Sequence, residues 1–174
     1  MARRFYAPVH VAVAPVEGGF ALRAVNDTPA PVALDLAVSA LSPGGPPRPL
    51  TTASATVGTD AAAELARIDA AALGADEMLW YEWRTDTGAA GAEHFAPRPY
   101  KRYALAAPGL TLTAAPEVDG WALTLTARAP AFFAAGEADQ PGRFSDNAGN
   151  VLPGRPVALR FTPRAPGTPR YAPR

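Results

Sequence analysis

Two histidines, 16 carboxylates and no cysteine are what this chain of 174 residues offers for acid–base, nucleophilic or metal chemistry. Without cysteine there is no thiolate nucleophile, disulfide framework or cysteine zinc site, and only His10 and His94 remain as imidazoles. A Ser–His–Asp relay can be written around His94, but no G-x-S-x-G elbow accompanies it. Glycosidase chemistry needs two carboxyl groups roughly 5–10 Å apart. Glu82 and Glu93 lie near aromatic residues, yet nothing marks them as a pair, and we read them as solvated positions on a sheet. No phosphate loop, dinucleotide fingerprint or His-rich motif is present. The expectation is therefore no catalytic residue and no cofactor.

Two softer constellations remain. Glu137, Asp139, Asp146, Asn147 and Asn150 offer the oxygen ligands that hard cations prefer. Their spacing matches no calcium loop, so they read as a solvated loop whose side chains cap backbone groups, with no metal. The second constellation is aromatic. Sugars stack their apolar faces on exposed rings, and Trp80-Tyr81-Glu82-Trp83 packs three rings into four positions. In a strand, pleating sends Trp80 and Glu82 to one face and Tyr81 and Trp83 to the other. Trp80, Tyr81, Trp83 and Trp121 are thus candidates for a sugar platform or, as the favoured reading, a domain interface.

Charge narrows the partners. The 16 Lys and Arg balance the 16 Asp and Glu, so there is no basic footprint for a phosphate backbone, and nucleic acid is not expected. No apolar run approaches the roughly 18–20 residues of a membrane span. The 48% hydrophobic content is misleading, because 40 of those residues are Ala; Leu, Ile, Val and Phe together make only about a fifth of the chain, which implies a thin core. With 20 Pro and 15 Gly, short elements divided by turns are favoured over long helices.

The elements that would position these residues read as strands. Met1-Ala2-Arg3-Arg4 and the apolar run after it mimic a signal peptide, but Pro8 and His10 break the run, and Val9, Val11 and Val13 alternate as in a half-buried strand. Gly18-Gly19 turns it into a partner carrying Phe20, Leu22 and Ala24. Asn26-Asp27-Thr28-Pro29 ends that hairpin. Leu34, Leu36 and Val38 then face one way and Asp35 and Ser39 the other. Residues 42–49 are a loop, and Thr51 to Val57 a Thr-rich edge strand. Residues 60–73 contain helix formers behind Asp60, but strands flank them, so the expectation is a strand to about Ile68 and one helical turn from Asp69 to Leu73. Glu77 to Asp86 is the clearest strand; Thr87-Gly88 turns it toward Glu93-His94-Phe95.

Tyr100 to Pro108 reads as an extended connector. Beyond it come Leu110 and Leu112, a turn at Asp119-Gly120, and then Trp121, Leu123 and Leu125. Phe132-Phe133 is a short buried run, Pro153-Gly154 a turn, and Val157, Leu159 and Phe161 the last strand. About eleven strands with turns between them predict an all-β chain of two immunoglobulin-like antiparallel β-sandwich domains in tandem. The expected division is 1–100, a smaller 101–165, and a flexible Pro- and Arg-rich tail at 166–174.

Particular residues also carry a family resemblance. Phe144-Ser145-Asp146-Asn147, then Val151-Leu152-Pro153-Gly154 and the strand Val157 to Phe161, resemble the closing segment of β-mannosidases of glycoside hydrolase family 2. Phe5-Tyr6-Ala7-Pro8-Val9, the Val25 to Thr28 run, and Pro99-Tyr100-Lys101 with Leu105 occur in the same order as in that family. The departures are Ala148-Gly149, where aromatic residues are usual, and Arg155, where Glu is usual. The resemblance implies the last two immunoglobulin-like domains of such an enzyme, whose two catalytic Glu lie on a TIM barrel outside this sequence. It implies that barrel as the main partner and an oligosaccharide or polysaccharide as a second one; the compartment of the parent stays open, with a periplasmic or secreted parent favoured over a cytoplasmic one. For the motif itself, Phe144 would plug the small core, Asp146 and Asn147 would tie a tight loop with Ser145, and Leu152-Pro153-Gly154 would make the turn.

Overall fold

The structure is a computed structural model and describes residues 7–147, 149–165 and 167–173. Phe5-Tyr6, the residues before them and Ala148 lie outside the described residues. The chain divides into two compact units, Ala2–Ala104 and Leu105–Arg174. The division falls four residues beyond the expected one, because the segment after Pro99 folds back onto the first unit. Among the described residues, every regular element apart from two short 3-10 turns is a strand.

The described residues of the first unit form seven strands: β1 (Val9–Val16), β2 (Gly19–Asn26), β3 (Val32–Leu41), β4 (Arg48–Val57), β5 (Ala61–Asp69), β6 (Met78–Thr85) and β7 (Ala90–Phe95). They form antiparallel sheets of order β1-β2-β5 and β4-β3-β6-β7. Alternation does the sorting, as β3 shows: Val32, Leu34, Leu36, Val38 and Ala40 are buried while Ala33, Asp35 and Ala37 are exposed. The core between the sheets joins Val9, Val11, Leu22, Ala24 and Ile68 from one layer to Leu34, Leu36, Val38, Val57, Leu79 and Tyr81 from the other. Residues 60–73 behave as the alternation predicts, with β5 running to Asp69 and a 3-10 turn at Ala70–Ala72. The Asp69 carboxylate caps that turn by accepting from the Ala71 amide at 2.7 Å.

Asn26 pins the corner where the chain leaves one sheet for the other. It has no solvent exposure. Its Nδ2 donates toward the carbonyls of Ala30 at 2.9 Å, Val57 at 3.2 Å and Gly58 at 2.9 Å. Its Oδ1 accepts from the Thr28 amide at 3.0 Å and the Thr28 hydroxyl at 2.6 Å. One side chain thereby satisfies backbone groups on two separate turns of chain, at Thr28–Ala30 and at Val57–Gly58, which is what allows a polar residue to be buried here.

The described residues of the second unit form eight strands: β8 (Thr111–Glu117), β9 (Gly120–Thr126), β10 (Ala131–Ala134), β11 (Gly136–Ala138), β12 (Gly142–Phe144), β13 (Gly149–Val151), β14 (Val157–Pro163) and β15 (Tyr171–Pro173). One layer is the sheet β12-β14-β9-β8; the other is split into the pairs β10-β13 and β11-β15. Leu123, Leu125, Leu159 and Phe161 from the sheet meet Ala131, Ala134 and Val151 across the core.

Three expectations give way here. Within the expected flexible tail at 166–174, Tyr171–Pro173 form a strand: β15 pairs with β11 from Gly136↔Pro173 to Ala138↔Tyr171. Asp139 brackets the join, its amide donating to the Arg170 carbonyl at 3.1 Å and its carboxylate accepting from the Arg170 amide at 2.8 Å. Tyr171 supplies the burial, with its ring 5.5 Å from Phe161 and 5.9 Å from Trp121. Nor is Phe132-Phe133 a buried run. The β10-β13 register slips between Ala131 and Ala134, so the two alanines point inward, while Phe133 is 44% exposed with a φ of 58°. Finally, the connector is not extended throughout, since Tyr100–Arg102 is a 3-10 turn.

Candidate functional site

Glu82 and Glu93, which the sequence does not mark as a pair, do not converge. Register puts Glu82 opposite Ala92 and Glu93 opposite Tyr81; neighbours along a ladder share a face, so Glu82 lies on the outer face of the sheet and Glu93 on the core side. His94 sits in the row Ser39–Trp80–His94. Two strand spacings, about 10 Å, separate the serine from the imidazole, and Trp80 stands between them. The His94 Nε2 instead meets the Tyr100 hydroxyl at 2.5 Å, the two rings meeting edge to face.

The four aromatic candidates divide by face. Tyr81 and Trp83 point into the sandwich and stack at 6.1 Å. Trp83 lies flat over β7 at Gly91, its cross-strand partner; a Cβ on Gly91 would fall 2.1 Å from the indole, so only glycine leaves room for the ring. Burial pushes the Tyr81 hydroxyl well above the usual tyrosine range, and the nearby Glu93 charge adds to it. Trp80 is on the opposite, outer face. It is nevertheless only 3% exposed, and Tyr81 only 6%, so neither presents an open ring to solvent. Trp83 and Trp121 are half-buried, Trp121 packing against the core of the second unit. Among the described residues the indole N–H groups of Trp80 and Trp83 are buried without a hydrogen-bond partner, each at a cost of roughly 1–3 kcal/mol.

Burial of Trp80 belongs to a second, smaller apolar layer that the sequence pattern did not reveal. Leu41 and Met78 are cross-strand partners on the same outer face and are 2% and 1% exposed. Tyr103, on the connector, is 6% exposed, and its hydroxyl accepts from the Arg98 amide at 3.1 Å. The Ala104 amide donates to the Asp76 carboxylate at 3.1 Å. The Arg98 guanidinium donates to the Ala75 carbonyl. The signal was present in the tyrosines at 100 and 103, spaced as one 3-10 turn, but it has meaning only once Trp80 is known to need a cover.

In the second unit the Phe144 to Asn147 run is tied to backbone. The Phe144 ring lies 4.8 Å from Phe161. The Ser145 amide donates to the Arg160 carbonyl at 2.7 Å, and the Ser145 hydroxyl accepts from the Arg160 amide at 2.9 Å. Asn147 Oδ1 accepts from the Gly136 amide at 3.0 Å, and Asp146 accepts from the Asn147 amide at 2.8 Å. Leu152 is buried and bridges to Arg155 around exposed Pro153 and Gly154, whose φ of 73° suits glycine. Of the oxygen donors considered for a cation, Asp139, Asp146 and Asn147 thus accept from amides. Among the described residues no three His, Cys, Asp or Glu side chains converge as a metal site would need.

Two sandwiches of short antiparallel strands define the class: a tandem of immunoglobulin-like β domains. Residues 105–171 match the family model Ig_mannosidase, an Ig-fold domain. No curated protein matches the chain significantly. Among solved structures, the chain is similar to the β-D-mannosidase from Dictyoglomus thermophilum, with a TM-score of 0.74 and 16% identity over 98% of this chain and 22% of that one. It is also similar to the exo-chitosanase CsxA of Amycolatopsis orientalis, with a TM-score of 0.71 and 17% identity over 99% of this chain and 26% of that one. These matches agree with the resemblance to the C-terminal immunoglobulin-like domains of family 2 β-mannosidases. The chain spans about a quarter of the length of each of these structures.

Proposed function

We propose that the chain is a non-catalytic accessory region of a β-mannosidase-like glycoside hydrolase, which hydrolyses β-linked mannosides on a catalytic barrel that these two sandwiches brace. The observation carrying this is the asymmetry of coverage: nearly all of this chain, both units included, matches a small share of much larger glycosidases. Fold alone does not assign an activity, but the geometry supports the same reading. Glu82 and Glu93 face opposite ways, and the motif at Phe144 to Gly154 is engaged with backbone. The purified chain should not turn over an aryl β-mannoside. Turnover that survives repurification and tracks the protein through gel filtration would end this reading. Its positive arm is the parent polypeptide, in which deleting both units should lower the melting temperature of the catalytic part.

Direct binding of an oligosaccharide by this chain falls to Trp83 and Trp121, the two candidates that are not fully buried. Titrating manno-oligosaccharides against tryptophan emission separates this role from bracing, because ring stacking shifts emission and a purely supporting domain leaves it unchanged.

A further inference from the structure

The segment from Arg98 to Ala104 is held more firmly than a linker requires. It contributes a buried tyrosine, Tyr103. Its 3-10 turn closes through the amides of Arg102 and Tyr103, which donate to the carbonyls of Pro99 at 2.9 Å and Tyr100 at 3.1 Å. It is fastened to the body of the first unit at separate points. The Tyr100 hydroxyl meets His94 on β7, Arg98 reaches the Ala75 carbonyl, and the Ala104 amide reaches Asp76. Ala75 and Asp76 immediately precede β6, the strand that carries Met78 and Trp80.

We infer that residues 98–104 are a strap closed over Trp80 on the outer face of the β4-β3-β6-β7 sheet, and that the strap opens as a unit without unfolding the sandwich beneath it. Trp80, Met78 and Leu41 are absent from the continuous core between the sheets, so their burial depends on a cover and not on the opposing sheet. The register places Trp80 beside His94, whose ring carries Tyr100 against it. The Trp80 indole N–H, buried without a partner, regains water when the strap lifts, which lowers the cost of opening relative to exposing the main core. Tyr103 and Glu93 are the titratable and charged neighbours that bear on Tyr100; the fastening itself rests on the His94–Tyr100 hydrogen bond, the Arg98 guanidinium and the Asp76 carboxylate. The chain continues from the strap directly into the second unit at Leu105. The strap is therefore where the first unit ends mechanically, and its opening lengthens the free connector by about seven residues, up to roughly 25 Å of extended chain.

Hydrogen exchange on the intact chain tests this. In Tyr103→Ala, and separately in Asp76→Ala, the amides of Arg102, Tyr103 and Ala104 should exchange about ten-fold faster or more. Those of Leu36 and Tyr81 in the sandwich should keep their native rates. Asp76→Asn retains an acceptor for Ala104 and should restore most of the protection. A chain with Trp83→Phe and Trp121→Phe leaves Trp80 as the sole tryptophan. There, Tyr103→Ala should red-shift its emission and raise acrylamide quenching severalfold. Uniform acceleration of all amides in the first unit would show that the strap is inseparable from the sandwich and would overturn the inference. So would Trp80 emission that stays unchanged when the strap amides are released. If the single-tryptophan chain fails to fold, the exchange rates in the singly substituted chains decide.

Discussion

The two units solve one architectural problem with different materials. The first unit is built on paired strands of 6–10 residues, with aliphatic residues from both sheets meeting across the core and one buried amide, Asn26, joining turns. Several strands of the second unit are only 3 or 4 residues long. It is closed by side chains: Phe144, Phe161, Trp121 and Tyr171 supply the bulk, and Ser145, Asn147 and Asp139 bond to neighbouring backbone. Long ladders spread stability over many weak contributions, so a single change is diluted. A small domain closed by a few rings concentrates it.

That contrast can be broken where it is strongest. Phe161 is 1% exposed and packs against two of the three other rings, Phe144 and Tyr171. Phe161→Ala should cost roughly 3–5 kcal/mol, enough to unfold the second unit at room temperature. Calorimetry should then show the first unit's transition alone; loss of both would mean that the units do not melt separately. Asn26→Ala is the matching test for the first unit. It strands the carbonyls of Ala30, Val57 and Gly58 together with the Thr28 amide and should cost about 3 kcal/mol, read as a lower denaturant midpoint with the second unit unaffected. An effect below about 1 kcal/mol would return the stability of that corner to the strand ladders alone.

Two smaller effects sharpen the picture. Tyr171→Ala removes the ring that anchors β15 and should cost about 2 kcal/mol, with faster exchange of the Asp139 amide as the local reporter. The smallest effect concerns Glu77. Its carboxylate accepts from Arg48 at 2.7 Å and from the Gly74 amide at 2.8 Å. The Arg48 bond, then the Gly74 bond, hold its pKa below the ordinary 4.5. A carboxylate with a depressed folded-state pKa stabilises the fold above its unfolded value and loses that contribution as pH falls through the folded one. Glu77→Gln should therefore flatten the acid limb of the first unit's stability curve below about pH 4.5. An unchanged limb would assign that slope to other carboxylates.

The same contrast explains what could be read in advance. Period-2 runs such as Leu34-Leu36-Val38 or Trp121-Leu123-Leu125 announce their strands, because a half-buried sheet imposes alternation. The short elements carry no such period. Tyr171 is one ring in a Pro- and Arg-rich segment, and only its contacts with Phe161 and Trp121 make a strand of it. Phe132-Phe133 looks buried by composition, but a register slip turns the adjacent alanines inward instead. At Trp80 the pleat predicts an outer face correctly, yet the ring is only 3% exposed there, which alternation does not announce. Among the site residues, the aromatic set at 80–83 was legible as residues and illegible as exposure.

Asn26-Asp27-Thr28 also spells the acceptor triplet for N-linked glycosylation. Its amide nitrogen is already committed to three carbonyls inside a corner with no solvent exposure. Once folded, the triplet is closed to a glycosyltransferase. A glycan attached during synthesis would have to be expelled from that corner before the two sheets could meet. A secretory host that glycosylates is therefore the wrong place to make this chain unless Thr28 is first replaced.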